Sequence, residues 1–318
     1  MVTNLKRTRM RIHINRTLFF LLGSIIICLQ EVNAQQDSQY SQYMYNTVSI
    51  NPGYAGSRGM LSAFGMYRNQ WVGLEGAPET LNFSINSPIG LKRVGLGVNF
   101  VSDRIGPSSE DILTADFSYT IPVFNAETKL SFGLKAGVNM FNLDINKLNI
   151  ENPNDVNFRS RNLSSPVVGL GFYLHSNKWY FGLSTPNILE TEHYDEIAVS
   201  TATEKMHGYA IGGYVFDLNQ NVKLKPAFLV KAVSGAPLAV DLSANFQLYN
   251  DFTLGASYRL DAAVGAMAAF NISNQIMVGY AYDYDTTPLS QYNSGSHEIF
   301  LRFELGTRVR NKVNPRFF

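Results

Sequence analysis

Charge is scarce in this chain: 16% of its 318 residues are charged, where a soluble domain usually carries about 25%. Cysteine is nearly absent, with one residue, Cys28. Long apolar runs are missing too. Past the N-terminus no stretch approaches the ~18 uncharged apolar residues that a spanning helix requires, which excludes a helical membrane bundle. Disorder is excluded by the opposite token, since 21 phenylalanines and 17 tyrosines supply more apolar surface than a disordered chain holds. Few charges, many rings and 25 glycines point to an all-β protein.

Residues 1–34 read as a cleaved signal peptide. Lys6, Arg7, Arg9, Arg11 and Arg16 form a basic start, residues 17–29 an apolar run, and Val32-Asn33-Ala34 a small-residue cleavage site. The run is too short for a retained transmembrane helix. Cleavage would take Cys28 with it, so the exported chain holds together without disulfides. It would also remove five basic residues and one acidic residue, turning a formal charge of +1 into −3. That balance lacks the dense basic surface on which nucleic-acid binding relies.

The remainder alternates. In 237–249, Leu238, Val240, Leu242, Ala244, Phe246 and Leu248 share one face, and Asp241, Ser243, Asn245 and Gln247 share the other. Fourteen such segments are expected: 61–71, 80–88, 94–103, 112–123, 129–143, 166–176, 178–186, 206–217, 222–232, 238–249, 252–260, 263–273, 275–285 and 297–306. Most have the length a tilted strand needs to cross a bilayer, and soluble strands are shorter. Long and short gaps alternate along the chain, as they do when a closed barrel has loops at one rim and turns at the other. The polar face is mostly Gly, Ser, Asn and Thr with occasional charges (Lys135, Asp241, Arg259, Asp283 and Arg302), which suits a lumen. Tyr67, Trp71, Trp179, Tyr180, Tyr249, Phe252, Tyr282 and Tyr284 sit near segment ends, as in aromatic girdles. The reading is a transmembrane antiparallel β-barrel of about 14 strands, outer-membrane type, over 61–306. An even strand count places both of its ends on the short-turn rim, the periplasmic one.

Catalytic motifs are not found. There is no G-x-S-x-G elbow, no H-E-x-x-H pair and no phosphate-cradling loop. His175, His193, His207 and His297 have no metal-binding spacing. Asp283 and Asp285 share a face without the oxygen-rich loop that calcium requires. No catalytic, cofactor or metal residue is therefore assigned, and no cofactor. The acidic stretch around Asp103, Glu110 and Asp111 reads as an external loop, and loops 144–165 and 187–205 as contact surfaces.

Segment 35–60 differs from the barrel. Gln35 to Tyr45 is polar and tyrosine-rich, and Asn51-Pro52-Gly53-Tyr54-Ala55-Gly56 is dense in turn formers. It either folds into the lumen as a partial plug or trails as a disordered tail. At the other end, 307–318 is a basic tail whose Arg316, Phe317 and Phe318 would suit docking to an acidic periplasmic partner.

Ser38-Gln39-Tyr40-Ser41-Gln42-Tyr43-Met44 followed by Asn51-Pro52-Gly53-Tyr54-Ala55-Gly56 resembles the opening of the PorP/SprF family. Arg68, Gln70 and Trp71, the run Gly295-Ser296-His297-Glu298-Ile299, and the terminal Pro315-Arg316-Phe317-Phe318 extend the match across the mature chain. The family usually has alanine where this chain has Gly53. The resemblance implies an outer-membrane barrel of the type IX secretion system, linked in some members to gliding motility. It further implies a non-enzymatic partner for a cognate secreted protein such as a large adhesin, with Asn51, Pro52, Tyr54, Gly56, Arg68, Gln70, Trp71, His297, Glu298, Arg316, Phe317 and Phe318 as candidate contacts. Type IX components and outer-membrane lipid would be the other partners. The competing reading from the residues alone is a passive porin for small solutes, because side chains alone fill only about eight strands.

Overall fold

The computed structural model of the chain describes residues 40–90, 93–144, 147, 160–189, 191–192 and 203–305. Its fourteen long strands are β1 (Leu61–Asn69), β2 (Glu79–Ile89), β3 (Val94–Ile105), β4 (Ser108–Val123), β5 (Asn125–Leu143), β6 (Arg161–His175), β7 (Trp179–Thr185), β8 (His207–Tyr214), β9 (Val222–Val233), β10 (Ala239–Leu248), β11 (Phe252–Arg259), β12 (Ala263–Asn271), β13 (Ile276–Asp285) and β14 (Ser296–Leu305). Phe216–Asp217 extends β8 against β9. Each strand pairs antiparallel with its chain neighbours. β1 also pairs with β14, from Leu61 opposite Leu305 to Asn69 opposite His297, and the sheet closes on itself.

Alternation explains the closure. Leu242 and Phe246 of β10 are exposed, whereas Ser243, Asn245 and Gln247 between them are buried. In β4, Leu113, Phe117 and Tyr119 are exposed, and Thr114, Asp116 and Ser118 are buried. Apolar side chains therefore face outward and polar ones inward, the reverse of a water-soluble sandwich and the arrangement a bilayer favours. A closed sheet also leaves no unpaired strand edge in lipid. No described helix is long and apolar enough to cross a membrane. The longer connections leave the barrel after β1, β5, β7 and β13, strands that all end at the same rim, here the loop rim. The start of β1 and the end of β14 lie at the other, the turn rim.

Two expectations need correction. Asp103, Glu110 and Asp111 do not form a loop. β3 and β4 stay paired through Asp103 opposite Glu110 and on to Ile105 opposite Ser108. Their charges do not break the strands, because Asp103 and Glu110 are met by neighbouring strands: Thr80 Oγ1 donates to Asp103 Oδ1 at 2.6 Å, and Asn139 Nδ2 donates to Glu110. Tyr180 is not a girdle residue either. It is buried in the lumen, 5.9 Å from the ring of Tyr173. The signal segment, the tail 307–318 and most of loops 144–165 and 187–205 lie outside the described residues.

The apolar core lies inside the barrel and is built around the segment before β1. This segment folds as a 3-10 turn (Tyr43–Tyr45), one turn of α-helix (Thr47–Ile50) and a second 3-10 turn (Pro52–Tyr54). Tyr45 packs on Phe300 at 4.6 Å between ring centroids, and Tyr54 meets Tyr173 edge-on at 5.3 Å. Met44, Val48 and Ile211 are almost wholly buried with them.

Candidate functional site: a plugged lumen and its mouth

The interior segment runs the length of the barrel. At its upper end Ser41 meets Arg68, the penultimate residue of β1, beside the loop rim. At its lower end Gly56 sits against Pro88 and Gly95, beside the turn joining β2 to β3. The chain thus crosses the lumen once before β1 begins.

Charge fixes the upper end. Alternation places Arg68 of β1, Asp283 of β13 and Glu298 of β14 on the inner face, and Arg68 and Glu298 are register partners. Arg68 Nη1 lies 3.0 Å from Asp283 Oδ2 and 3.1 Å from Glu298 Oε2. It also donates to Ser41 Oγ at 2.8 Å, and that hydroxyl donates to Asp283. Glu298 accepts two successive backbone amides of the plug, Ser41 N at 2.9 Å and Gln42 N at 3.0 Å. Charge-assisted bonds of this kind are the strong ones, and in a lumen shielded from water they hold a defined geometry.

Absence of side chains fixes the lower end. A Cβ on Gly95 of β3 would lie 2.1 Å from Ala55 O, one on Gly133 of β5 2.1 Å from Gly53 N, and one on Gly171 of β6 2.2 Å from Asn51 Oδ1. These glycines form a groove into which the plug backbone sinks. Asn51 caps the second 3-10 turn by accepting from Gly53 N at 2.9 Å, while its Nδ2 donates to Phe172 O at 3.0 Å. Pro52 occupies the first position of that turn, where its missing N–H costs nothing. Gly56 has φ +70, a conformation that L side chains rarely adopt. Its N–H donates to Asn86 Oδ1 at 3.2 Å. Between the two ends Asn46 bridges to the wall, donating to Asn82 at 2.8 Å and accepting from Ser84 at 2.7 Å. Burial pushes the Tyr45 hydroxyl up to about 12 and raises that of Tyr43 as well.

Above the plug, Arg68, Gln70, Trp71 and Ser296 line a cavity at the loop rim together with Asp103, Arg259 and Asp285. The loop after β1 is stitched to the one before β14: Trp71 N donates to Ser296 Oγ at 3.2 Å, Val72 N to Gly295 O at 2.9 Å, and Ser294 N to Val72 O at 2.8 Å. The two motif stretches, 68–71 and 295–298, therefore meet in space. His297 stands apart from them. Its neighbour Glu298 points inward, so His297 lies on the outer face, where its Nδ1 is 2.6 Å from the Tyr280 hydroxyl. Arg316, Phe317 and Phe318 lie outside the described residues.

Sequence reasoning missed Ser41, Gln42 and Asp283 as holders of the plug, and the buried pair Lys135–Asp116 at 2.7 Å. The available signal was charge on the lumen face of a strand, which needs an interior partner. Chemically the site binds and holds. Among the described residues no group of three or more His, Cys, Asp or Glu side chains is placed to hold a metal.

A family model described as type IX secretion system membrane protein PorP/SprF matches residues 32–303. The curated proteins contain no match. Among solved structures the chain is similar to the Acinetobacter baumannii outer membrane protein Omp33, at 9% identity and TM-score 0.47, covering 77% of this chain and 98% of that one. It is also similar to the Ralstonia pickettii toluene transporter TbuX, at 9% identity and TM-score 0.49, covering 82% and 92%. A third is the CymD monoaromatic hydrocarbon channel, at 11% identity and TM-score 0.48, covering 87% and 95%.

Proposed function

The chain belongs to the PorP/SprF family of type IX secretion system membrane proteins, and from that premise we propose that it is a non-enzymatic outer-membrane anchor for a cognate secreted protein. The partner class is a large adhesin-like protein, held at the cell surface for adhesion or gliding. One observation carries this over a small-solute porin: the chain's own residues 41–56 run the length of the lumen and are clamped there by Arg68, Asp283 and Glu298. In this reading the turn rim faces the periplasm, and the loop-rim mouth with Gln70 and Trp71 receives the partner. The tail 307–318, with Arg316, Phe317 and Phe318, contacts other secretion components below.

The test combines two measurements on the full chain. In planar bilayers the purified protein is expected to show no steady conductance. In cells, its loss is expected to remove one secreted protein from the surface while others still appear. Steady ohmic conductance together with an unchanged surface proteome would overturn the reading in favour of a porin.

A further inference from the structure

The mouth above the plug holds a cavity of about 280 Å³. At about 10–15 Å³ for each water, it has room for one long side chain and its flanking backbone. Its charges are not evenly met. Arg259 pairs with Asp241 at 2.7 Å, and Arg68 is shared between Asp283 and Glu298. Asp285, the last residue of β13, lies on the inner face two residues beyond Asp283 and lines the same cavity. Among the described residues no cation pairs with it, and its Oδ2 is sealed without a hydrogen-bond partner. Its charge is therefore left to be met through the other oxygen, from the cavity side.

Two further groups narrow what would meet it. Trp71 lines the cavity with φ +52, a costly conformation for a bulky residue, and its N–H is held by Ser296 Oγ. An indole face attracts cations more strongly than the other aromatic rings do. Arg68, 2% exposed, lines the same cavity and leaves its Nε buried without a hydrogen-bond partner. An occupant thus needs a cation for Asp285 and Trp71 and an acceptor for Arg68. A bare metal ion lacks the acceptor, and a simple anion lacks the cation. A basic residue within a peptide carries both, since a backbone carbonyl accompanies its side chain. The fork of an arginine would need both carboxylate oxygens, whereas a lysine ammonium needs one.

We infer that the mouth is a socket for a lysine residue in a segment of the secreted partner, an inference that rests on the anchoring role proposed above. The ammonium donates to Asp285 beside the Trp71 ring, and the adjoining carbonyl accepts from Arg68. Because Arg68 also holds Ser41, the partner would seat directly on the upper end of the plug. Binding involves no covalent step.

The test uses the full chain folded in an uncharged detergent, titrated calorimetrically with acetyl-Gly-Lys-Gly-amide. The neutral control is the same peptide with norleucine in place of lysine, and the bare-amine control is n-butylammonium. The lysine peptide is expected to bind saturably and to shift the emission of Trp71 in a Trp179→Phe background. Asp285→Asn, which keeps the shape of the side chain, is expected to weaken binding about tenfold, the difference between a charge-assisted and a neutral hydrogen bond. In cells the same substitution should lower display of the secreted partner. Equal binding of the norleucine peptide, undiminished binding to Asp285→Asn, or full display of the partner by that variant would each overturn the inference. So would n-butylammonium binding as tightly as the peptide, which would make this a site for free amines. The anchoring role fails separately: it falls if loss of the whole chain leaves the surface proteome unchanged, whatever the peptide does.

Discussion

Gly53 of the plug passes Gly133 of β5 so closely that a Cβ on residue 133 would lie 2.1 Å from the Gly53 nitrogen. The reverse substitution is milder. A Cβ on Gly53 would meet Asn51 Oδ1 at 3.1 Å and Ser131 O and Tyr173 N at 3.2 Å, contacts that a few tenths of an ångström of movement relieve. Gly53→Ala is therefore expected to leave the plug docked, in keeping with the alanine usual at this point in the family pattern. Gly133→Ala drives its Cβ into the plug backbone at Pro52 and Gly53 and should expel the lower plug from its groove, an overpacking cost of about 1–3 kcal/mol. Single-channel recording checks both: steady openings in Gly133→Ala, none in Gly53→Ala.

The Arg68 clamp gives a second prediction. Arg68→Met would strand Asp283 and Glu298 as buried carboxylates, a loss on the order of 3–5 kcal/mol. Adding Asp283→Asn and Glu298→Gln to the same chain removes the stranded charge, and much of the loss should return. Heat-modifiability on semi-native gels measures all three forms. If the triple variant is no better than Arg68→Met, the damage comes from lost packing and the electrostatic account fails.

Alkali should release the plug in a defined window. Burial raises the Tyr45 hydroxyl from 10.0 to about 12, so the folded state holds its proton longer than the released state does. The neutral phenol contributes fully below pH 10. Its contribution falls as the pH climbs from 10 towards 12, because the exposed chain ionises first. Tyr43 shifts in the same direction. Conductance is expected to appear across that window in the wild type and to move to higher pH in the Tyr43→Phe/Tyr45→Phe double variant.

How much of this was legible in the sequence follows from the range of each interaction. Alternation is local: Leu242 and Ser243 declare their faces by adjacency alone, and all fourteen segments are strands in the barrel. Ends were harder. Asp103 and Glu110 read as loop because charge usually stops a strand, and only the partners Thr80 and Asn139 on neighbouring strands explain why it does not here. The plug was undecidable for a related reason. Its groove is made of Gly95, Gly133 and Gly171, far from Asn51–Gly56 in sequence, and a glycine on a strand does not state what it makes room for. Within the motif Gly295-Ser296-His297-Glu298, the strand period alone separates Glu298 in the lumen from His297 outside it.

The face assignment leads to the last prediction. Leu242 is 48% exposed on the outside of β10, where an arginine near mid-strand meets hydrocarbon at a cost of roughly 2–4 kcal/mol. Ser243, one residue on, is buried and faces the plug beside the Tyr43 hydroxyl. The two arginine variants should therefore fail differently. Leu242→Arg is expected to lower the yield of heat-modifiable barrel in the outer membrane while leaving whatever assembles closed to ions. Ser243→Arg keeps the lipid face intact and should assemble at near wild-type yield, but its side chain needs the volume that Tyr43 occupies, so it should conduct. Yield and conductance measured on both variants separate the two losses. If Ser243→Arg loses yield as Leu242→Arg does and stays closed, then either the inward orientation of β10 or the packing of Tyr43 against it is wrong.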